Sequence, residues 1–418
     1  MCIALVGSAR AADWPHWRGP TRDGLTPEQS GWDGSRWVGE KPEWAAAVGE
    51  GGCGPLVVGD TVFVLGHADG YDVLRDLNVR DGKERWAVKD KAPRYPRFHE
   101  GDENLYSGPS STPEFDPDTG LVYTLGSDGD LRCRDTRAEG KQVWHRNLYD
   151  DFKVAKRPRL TNAPRRDYGY TSSPFIHRDW LLVEVGSTAR GSLAAFDRKS
   201  GKEVWWSEIK DEAGHTGGPA AMTVGGLPCL AVLTQRNLAV IRLDAGHEGK
   251  TLATFPWVTD FANTIAGPAA HGDSVLLTAG YNHNAMVRIR VGPKGTEEVW
   301  RVKYPSKVCT PVVHEGRVYV AWQRVRCLDW ETGQLKWQGG TIGDPGSCVV
   351  TADGRLIVYG LSGKLLLVEG AGRSPAEYKE LAVRDKLFKT EAWPHVAIAG
   401  GRAFCRDRAG TLLCFALK

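Results

Sequence analysis

The sequence has few methionines, almost no net charge and no long apolar segment. Only 3 of its 418 residues are Met, and its formal net charge is +3. General nucleic-acid binding usually requires a strongly basic face or tail, so this charge argues against it. No apolar run approaches the roughly 20 residues with which a helix crosses a bilayer. We therefore expect no nucleic-acid partner and no transmembrane segment.

Cysteine motifs and common catalytic motifs are missing as well. The chain has 9 Cys, but it contains no CxxC, no CxxCH and no adjacent pair. Most of the cysteines lie in apolar, strand-like runs, where cysteine acts as a small buried hydrophobe. Neither a zinc site nor a disulfide framework is predicted. The GxSxG elbow, the P-loop and the dinucleotide fingerprint are absent, so the sequence assigns no catalytic residue.

Glycine and tryptophan, in contrast, are abundant, with 50 Gly and 16 Trp in the chain. Glycine is costly inside a helix but supplies the backbone freedom that tight turns require. This composition favours many short strands joined by turns, together with an aromatic packing site that recurs along the chain.

One segment, AFDRKSGKEVW at residues 195–205, recurs along the chain. Close copies are DLNVRDGKERW at 76–86 and CLDWETGQLKW at 327–337, and CRDTRAEGKQVW at 133–144 has one extra residue. Weaker copies end at Trp300, in the TFPW run at Phe255 and Trp257, and near Tyr378. We interpret the Asp and Gly of each copy as a hairpin turn. The Trp is then a ring packed against the neighbouring sheet.

A cluster of small residues, usually ending in Pro, precedes each pair of strand-like segments. The clusters end at Pro55, Pro113, Pro174, Pro219, Pro268 and Pro311, and two degenerate clusters end at Val349 and Val396. Each is followed by an apolar strand, a turn and a second strand. Four short strands per unit, repeating at roughly 40 to 60 residues, predict a β-propeller. The count gives an all-β fold with eight four-stranded antiparallel blades.

The eighth copy of the repeat is split between the two ends of the chain. The segment PEW at Trp44 has the closing strand without a preceding one, whereas the C-terminal GTLLCFALK stops before any tryptophan. We predict that an N-terminal strand near Trp44 completes the last blade and removes two exposed sheet edges. Residues 12–418 then form a single propeller domain, with a lead-in at 12–43 and blades at 44–418.

The first residues have the pattern of a processed export signal. A short apolar run at Cys2–Val6 precedes an AxA-type triplet that ends at Ala11. We interpret residues 1–11 as the remnant of a signal peptide, which predicts an exported protein in the periplasm or outside the cell.

The repeat AFDRKSGKEVW resembles the tryptophan-docking motif of the PQQ-like (pyrroloquinoline-quinone-like) β-propellers. Quinoprotein alcohol dehydrogenases and BamB-type outer-membrane assembly proteins share this motif. The start DWPHWRGPTRDG at 13–24 is also similar to secreted bacterial proteins of this group. The resemblance, which runs from Asp13 to Lys418, implies that Ala, Gly and Trp of each repeat pack between blades. The residues expected to dock blades are Trp44, Trp86, Trp144, Ala195, Gly201, Trp205, Trp300, Gly333 and Trp337.

The resemblance also raises the possibility of a quinone enzyme. Quinoproteins of this fold hold their cofactor beneath an adjacent-cysteine disulfide and above a tryptophan, with calcium or a lanthanide bound by Glu, Asn and Asp. This sequence has no adjacent cysteines. The candidates for an axial ligand or partner site are His215, Asn263, Lys307, Trp393 and His395. No carboxylate cluster accompanies them, so we expect no cofactor and no metal, and PQQ with calcium is the alternative.

Two connections between blades are unusually long, at residues 89–109 and 148–170. Long loops on a rigid scaffold often carry function, and Arg and Tyr are enriched in interface hot spots. The second connection is basic and aromatic, which suggests an acidic protein or polysaccharide as the partner. The predicted partner contacts are Tyr95, Arg97, Tyr106, Arg157, Arg159, Arg165, Arg166, Tyr168 and Tyr170.

The sequence therefore favours an exported, monomeric propeller that acts as a binding or scaffolding module on the loop face around its axis. The first alternative is a PQQ-dependent alcohol or sugar dehydrogenase with a diverged site. The second is a BamB-like assembly factor of the outer membrane. Against the second, Cys2 lies at the start of the apolar run, whereas a lipid-anchor cysteine would follow it.

Overall fold

The computed structural model describes residues 12–92, 108–155, 160–163 and 167–417. Their strands form eight antiparallel sheets arranged as a β-propeller, which confirms the predicted all-β fold and the blade count. Among these residues, helix is confined to α1 (Leu148–Phe152) and two 3-10 turns, Thr136–Ala138 and Asp260–Ala262. No helix among the described residues is long and apolar enough to span a membrane.

Strand β1 (Trp44–Ala47) comes first in the chain, and the blades follow in sequence order. From the axis outwards, blade 1 contains β2 (Leu56–Val58), β3 (Thr61–Ala68), β4 (Tyr71–Asn78) and β5 (Glu84–Lys91). Blade 2 contains β6 (Glu114–Asp116), β7 (Leu121–Leu125), β8 (Asp130–Asp135) and β9 (Lys141–Asn147). Blade 3 contains β10 (Phe175–His177), β11 (Trp180–Ser187), β12 (Gly191–Asp197) and β13 (Glu203–Trp206). Blade 4 contains β14 (Ala220–Val224), β15 (Leu227–Leu233), β16 (Asn237–Arg242) and β17 (Thr251–Pro256). Blade 5 contains β18 (Ala269–His271), β19 (Ser274–Ala279), β20 (Ala285–Gly292) and β21 (Gly295–Val302).

The last three blades complete the ring. Blade 6 contains β22 (Val312–His314), β23 (Arg317–Asp329) and β24 (Leu335–Gly343). Blade 7 contains β25 (Gly346–Val350), β26 (Arg355–Gly360), β27 (Lys364–Glu369) and β28 (Glu380–Arg384). Blade 8 contains β29 (Ala397–Ala399), β30 (Arg402–Arg406) and β31 (Thr411–Ala416), together with β1. In blade 6, the single strand β23 takes the positions of the second and third strands of the other blades. Its first half pairs with β22 and its second half with β24, and Gln323 between them has a left-handed φ of 61°.

The N-terminal strand closes the ring, as the sequence predicts. Strand β1 pairs antiparallel with β31, from Trp44 opposite Cys414 to Ala47 opposite Thr411. Beside this seam the side chain of Arg406 is completely buried. Its guanidinium donates hydrogen bonds to the carbonyl oxygens of Cys53 and Leu65, at 2.8 and 2.9 Å. The β1–β31 pairing thus completes blade 8, and the buried Arg406 joins blade 8 to blade 1.

In five blades of the described structure a tryptophan ring docks on the next blade, with a glycine of that blade's hairpin beneath the ring. Trp44 covers Gly82, Trp86 covers Gly140, Trp144 covers Gly201, Trp205 covers Gly249 and Trp300 covers Gly333. A Cβ added at any of these glycines would lie within 3.0 Å of the ring. Gly201 and Gly333 therefore receive the tryptophan of the preceding blade and not that of their own repeat.

Most docking indoles also donate a hydrogen bond into the hairpin they cover. Trp44 Nε1 donates to Val79 O at 2.9 Å, and Trp337 Nε1 donates to Ser374 O at 3.0 Å. Burial of a Trp removes roughly 150 to 250 Å² of surface, worth about 4 to 6 kcal/mol before entropic corrections. Trp205 pairs with Ala195 but is only partly buried, and its Nε1 lacks a partner among the described residues.

Blades 4 and 7 depart from the docking pattern that the weak repeat copies predict. The strand position of the tryptophan is occupied by Ala253 in blade 4 and by Ala382 in blade 7. Trp257 lies beyond that position and stacks on His283 with ring centroids 3.7 Å apart. The outer strands of blades 4 and 5 are instead joined by a hydrogen bond, in which Thr296 Oγ1 donates to Thr254 O at 3.1 Å.

Candidate ligand-binding site

A cavity of about 150 Å³ lies on the propeller axis, where the inner strands begin. Its described lining comes from every blade except blade 7. The residues at the starts of the inner strands belong to the small-residue clusters seen in the sequence. Small side chains leave room on the axis, so these clusters create the cavity, which we call the cup.

The hydroxyls of the same clusters tie neighbouring blades together around the cup. Four such hydrogen bonds are Gly54 N to Thr112 Oγ1 at 3.1 Å, Ser173 Oγ to Gly217 O at 2.7 Å, His215 N to Thr264 Oγ1 at 3.0 Å and Gly267 N to Thr310 Oγ1 at 2.9 Å. Three of these bonds pair a backbone N–H that would otherwise lack a partner, whereas Gly217 O also accepts from Ser173 N at 3.0 Å. The polar character of the clusters therefore has a structural cause in addition to any binding role.

The other end of the channel is covered by residues 12–30, which we call the strap. The strap pairs with inner strands at two points, Trp14 opposite Val57 and Leu25 beside Val350. At its end, Ser30 Oγ donates to Asp353 Oδ2 at 2.7 Å. These contacts reach blades 1 and 7, so the strap crosses the face at which the inner strands end.

Trp17 of the strap forms the floor of the cup. Its ring is 8% exposed and lies against three axial glycines. Cβ atoms added at Gly217, Gly218 and Gly267 would lie 2.6, 2.9 and 3.0 Å from the indole. Only glycine leaves space for the ring at these positions, and the ring in turn fills the channel. The cup is therefore closed at one end and opens on the face where the two long connections begin and end.

Two buried charged groups hold the strap in place. Arg18 lies below Trp17 and donates to the carbonyl oxygens of Pro311 and Asp23, at 2.6 and 2.8 Å. Burial lowers the pKa of Arg18, although Asp23 opposes this effect. In blade 2 the carboxylate of Glu114 is buried against Arg22 and the His16 ring, whose Nδ1 lies 3.0 Å away.

The charge of Glu114 depends on these strap residues. Its Oε1 accepts hydrogen bonds from Arg22 and, at 3.0 Å, from Ile176 N. Burial by itself raises the pKa of this carboxyl, but the positive charges of Arg22 and His16 outweigh it. The net pKa lies below the ordinary value, so Glu114 is ionised at neutral pH.

The structure brings four of the five axial candidates to the cup. His215, Asn263, Trp393 and His395 line it. The fifth, Lys307, lies next to the cup. Its Nζ is 5.5 Å from the ring centroid of Tyr281, which is a lining residue, and 4.0 Å from Asp344 Oδ2.

The two histidines of the cup differ in their surroundings. His215 Nδ1 lies 2.7 Å from Ala262 O, so this nitrogen carries the proton, and Nε2 accepts from Tyr168 N at 3.4 Å. His395 has only a ring contact with Trp17 at 6.1 Å, and its nitrogens have no hydrogen-bond partner among the described residues. Burial, with a smaller effect of Arg18, lowers the pKa of His395 to about 3. His395 is therefore neutral and can donate one hydrogen bond and accept another.

Asn263 places an unpaired polar atom in the wall of the cup. Its side chain is buried, 4% exposed, and its Oδ1 has no hydrogen-bond partner in the described structure. Buried polar atoms are almost always paired, with protein or with solvent. An unpaired amide oxygen in the wall of a cavity therefore marks a position at which a ligand or a water can bind.

Most of the predicted loop contacts lie outside the described residues. These are Tyr95, Arg97, Tyr106, Arg157, Arg159, Arg165 and Arg166. Tyr168 lines the cup, with its ring 5.2 Å from that of His215. Tyr170 does not fit the prediction of a partner contact, because it is 1% exposed and its hydroxyl donates to Val185 O at 2.8 Å. It packs in the core between blades 2 and 3.

Three aromatic or charged lining residues were not among the sequence candidates, namely Trp17, Tyr281 and Arg408. Tyr281 begins the segment YNHN, which the sequence suggests only as a hairpin turn. Arg408 lies in the corresponding turn of blade 8, and its guanidinium carbon is 5.0 Å from the Trp393 ring centroid. Both turns point towards the axis, which a repeat pattern alone does not reveal. Trp17 ends the aromatic segment DWPHW at 13–17, which is visible in the sequence but to which no binding role was assigned.

The donor set does not fit the PQQ and metal pair of quinoproteins. None of the described lining residues is Asp or Glu, and Asn263 supplies the one amide oxygen. Hard cations such as calcium require several oxygen ligands, usually including carboxylates. Among the described residues no three His, Cys, Asp or Glu side chains group closely enough to hold a metal. The eight described cysteines are buried thiols, so that part of the chain contains no disulfide.

Taken together, the blades, the docking tryptophans and the closed axial cup define a PQQ-like β-propeller. The family model described as outer membrane protein assembly factor BamB matches residues 38–171 and 189–379. The chain belongs to this BamB-type, PQQ-like propeller family.

Solved structures share the fold at low sequence identity. BamB from Moraxella catarrhalis superposes with a TM-score of 0.60 at 9% identity, over 89% of this chain and 98% of that one. The computationally designed Ika8 protein gives 0.58 at 8% identity, over 90% and 99%. Quinohemoprotein alcohol dehydrogenase from Comamonas testosteroni gives 0.48 at 13% identity, over 98% and 81%, which is too low to bear on function. A comparison with curated proteins gives no match.

Proposed function

We propose that this protein is a binding module that holds a small ligand, or one exposed group of a larger partner, in the axial cup. The observation that carries the proposal is the buried Asn263 Oδ1, which has no hydrogen-bond partner among the described residues and lies with the His395 ring in the lining of a cavity with a closed floor. Ligand sites are typically apolar and aromatic concavities with a few convergent polar groups. The cup has this composition.

The chemistry of the cup favours binding over catalysis. His215 is held by hydrogen bonds to two neighbouring blades, and His395, with a pKa of about 3, is a weak base. A general base works best with a pKa near the operating pH. The proposal therefore assigns no catalytic residue. A dehydrogenase remains testable, because dye reduction by an alcohol or a sugar after addition of PQQ and calcium would contradict a purely binding role.

The loop face gives room for a partner larger than the cup. Both long connections join outer strands to the next inner strands, and Tyr168 at the end of the second one lines the cup. We propose that an acidic protein or polysaccharide contacts this face while one of its groups enters the cup. Charge reversal of Arg165 and Arg166 should then weaken capture of the partner without weakening binding of the small group.

The proposed site of action is outside the cytoplasm. The export pattern at residues 1–11 supports this, together with the family, whose model is described as an outer-membrane assembly factor. Cell fractionation of the source organism checks it. Recovery of the chain in the cytoplasmic fraction, with residues 1–11 intact, would overturn the assignment.

The binding role is tested by filling the cup. Ile265 lines the cavity, so Ile265→Trp should occupy it, whereas Val143 is 46% exposed on an outer strand and Val143→Trp serves as the matched control. Each variant and the wild type would be immobilised and incubated with extract of the source organism. We expect the wild type and the control to retain a common ligand by mass spectrometry, and the filled variant to lose it. Equal retention by all three would contradict the proposal.

A further inference from the structure

We propose that Cys309 and Cys348 are a redox-active thiol pair, which a disulfide oxidant converts to a disulfide bond between blades 6 and 7. The pair is not part of the described lining of the cup, and its chemistry does not depend on the binding role. Cys309 lies two residues before Pro311, and Cys348 directly precedes Val349. Both cysteines therefore belong to the small-residue clusters from which the inner strands begin.

The two sulfur atoms meet on one short stretch of β23. Ala321 N donates to Cys309 Sγ at 3.3 Å, and Cys348 Sγ lies 3.9 Å from Tyr319 O. These two backbone groups are neighbours on the strand, and the Cys348 thiol is within hydrogen-bonding reach of Cys309 Sγ. Both side chains are buried, with residue exposures of 0% and 4%. Two thiols from adjacent blades are thus held side by side.

The surroundings favour the thiolate form of Cys309. The hydrogen bond from Cys348 lowers the pKa of Cys309, and this effect outweighs burial. The Ala321 N–H and the positive charge of Arg18 lower this pKa further. The same thiol–thiol contact raises the pKa of Cys348, so Cys309 is the first of the two to lose its proton. In blade 2, by contrast, burial raises the pKa of the Cys133 thiol to about 12.

The reaction is a thiol–disulfide exchange in two steps. The Cys309 thiolate attacks one sulfur of the oxidant disulfide, whose S–S bond breaks and releases the first thiol. The Cys348 thiol then gives up its proton and attacks Cys309 Sγ of the mixed disulfide, which releases the second thiol. Two electrons and two protons pass from the cysteine pair to the oxidant. The products are one protein disulfide and two oxidant thiols.

The strap covers this pair and controls access to it. Arg18 of the strap donates to Pro311 O at 2.6 Å, and Gly24 O accepts from Val350 N at 2.9 Å. The strap is therefore bound to both clusters, close to each cysteine. An oxidant reaches the thiols only while this segment is detached, before the strap docks or during local opening. We expect the rate of oxidation to follow strap opening.

The experiment exposes the reduced full chain to oxidised glutathione, alkylates the remaining thiols in denaturant and digests the chain with trypsin. Cleavage at Lys and Arg leaves the two cysteines in separate peptides, 308–317 and 337–355. We expect these peptides to be joined by a bond that dithiothreitol breaks. The link closes a loop of about 40 residues, so the melting temperature should rise by about 3 to 5 °C on oxidation and fall again on reduction.

Four variants serve as comparisons. Cys309→Ala and Cys348→Ala should lose both the link and the gain in melting temperature, whereas Cys133→Ala, the matched control, should keep both. Glu114→Gln removes the anion that holds the strap through Arg22 and His16. This variant should form the link at least about threefold faster than the wild type, with an unchanged final yield. Thermal melting of each reduced variant checks that it is folded.

Each contrary outcome overturns a stated part of the proposal. Complete alkylation of Cys309 and Cys348 at equilibrium with oxidised glutathione would overturn the redox pair. A link of equal yield between either cysteine and a third one would also overturn it, as would glutathione retained on Cys309 without the link. Equal rates in the wild type and in Glu114→Gln would overturn the role of the strap as the cover of the pair.

Discussion

The two faces of the propeller use polar residues in opposite ways. On the face covered by the strap, the buried charges have partners: Glu114 is bonded to Arg22, and Arg18 to two carbonyl oxygens. On the open face, the buried Asn263 Oδ1 lies in the wall of the cup without a hydrogen-bond partner among the described residues. A fully paired polar group stabilises the fold, whereas an unpaired one is retained at a cost to stability. The difference indicates which face is structural and which is functional.

The largest effect should come from removing the floor of the cup. Trp17→Ala should lower the free energy of unfolding by roughly 3 to 5 kcal/mol, because a buried ring is lost and the axial glycines cannot fill the space. Trp393→Ala on the open face is the comparison. Its ring is only partly buried, so a loss of about 1 to 2 kcal/mol is expected. Urea denaturation measures both values, and similar losses would contradict the contrast between the faces.

A smaller effect is expected from neutralising the buried carboxylate of the covered face. Glu114→Gln should cost about 2 to 3 kcal/mol, because Arg22 and His16 lose their anionic partner, and both keep some access to water. Gln keeps the size of the side chain, so packing changes little. Limited proteolysis should cleave the strap of this variant faster than that of the wild type. An unchanged cleavage rate would mean that other contacts hold the strap.

The two faces should also lose stability in different pH ranges. The pKa of Glu114 is lowered on folding, so its contribution is complete above about pH 4.5 and is lost as the pH falls through its folded pKa. His395 has a folded pKa of about 3 against about 6.5 when unfolded, so the unfolded chain binds more protons between these values. Stability should therefore begin to fall below about pH 6.5.

Single substitutions separate these two ranges. His395→Asn should flatten the melting temperature between about pH 6.5 and 4.5, and Glu114→Gln should flatten it only below that range. If His395→Asn keeps the wild-type slope of melting temperature against pH between about pH 6.5 and 4.5, a group other than His395 causes that slope.

The smallest effect is expected at the unpaired amide of the open face. Asn263→Leu should change the free energy of unfolding by less than about 1 kcal/mol, and it can stabilise the fold, because no hydrogen bond of Oδ1 is lost. The same substitution should remove ligand binding. A large loss of stability would place Asn263 among the structural residues and would weaken the distinction between the faces.

The sequence predicts the blades better than the cup. The repeat fixes the hairpins and the docking tryptophans, because each needs only local spacing and one neighbouring blade. The repeat does not predict the docking residue in blades 4 and 7, where Ala253 and Ala382 occupy the docking position. The copies in these two blades are so degenerate that they do not show which residue aligns with the tryptophan. Trp17 could not be placed, because the strap belongs to no repeat and its partners on the axis are about 200 to 250 residues away. Tyr170 was misassigned because the end of a long loop enters the core.

The pairing of β1 with β31 has a consequence for the time course of folding. Residues 44 and 414 must meet before blade 8 is complete, so the ring cannot close until residue 414 has been synthesised. Contacts of such long sequence separation slow folding. Until they form, the nascent chain presents two unpaired strand edges and an unfilled docking site on Gly82, which favours aggregation.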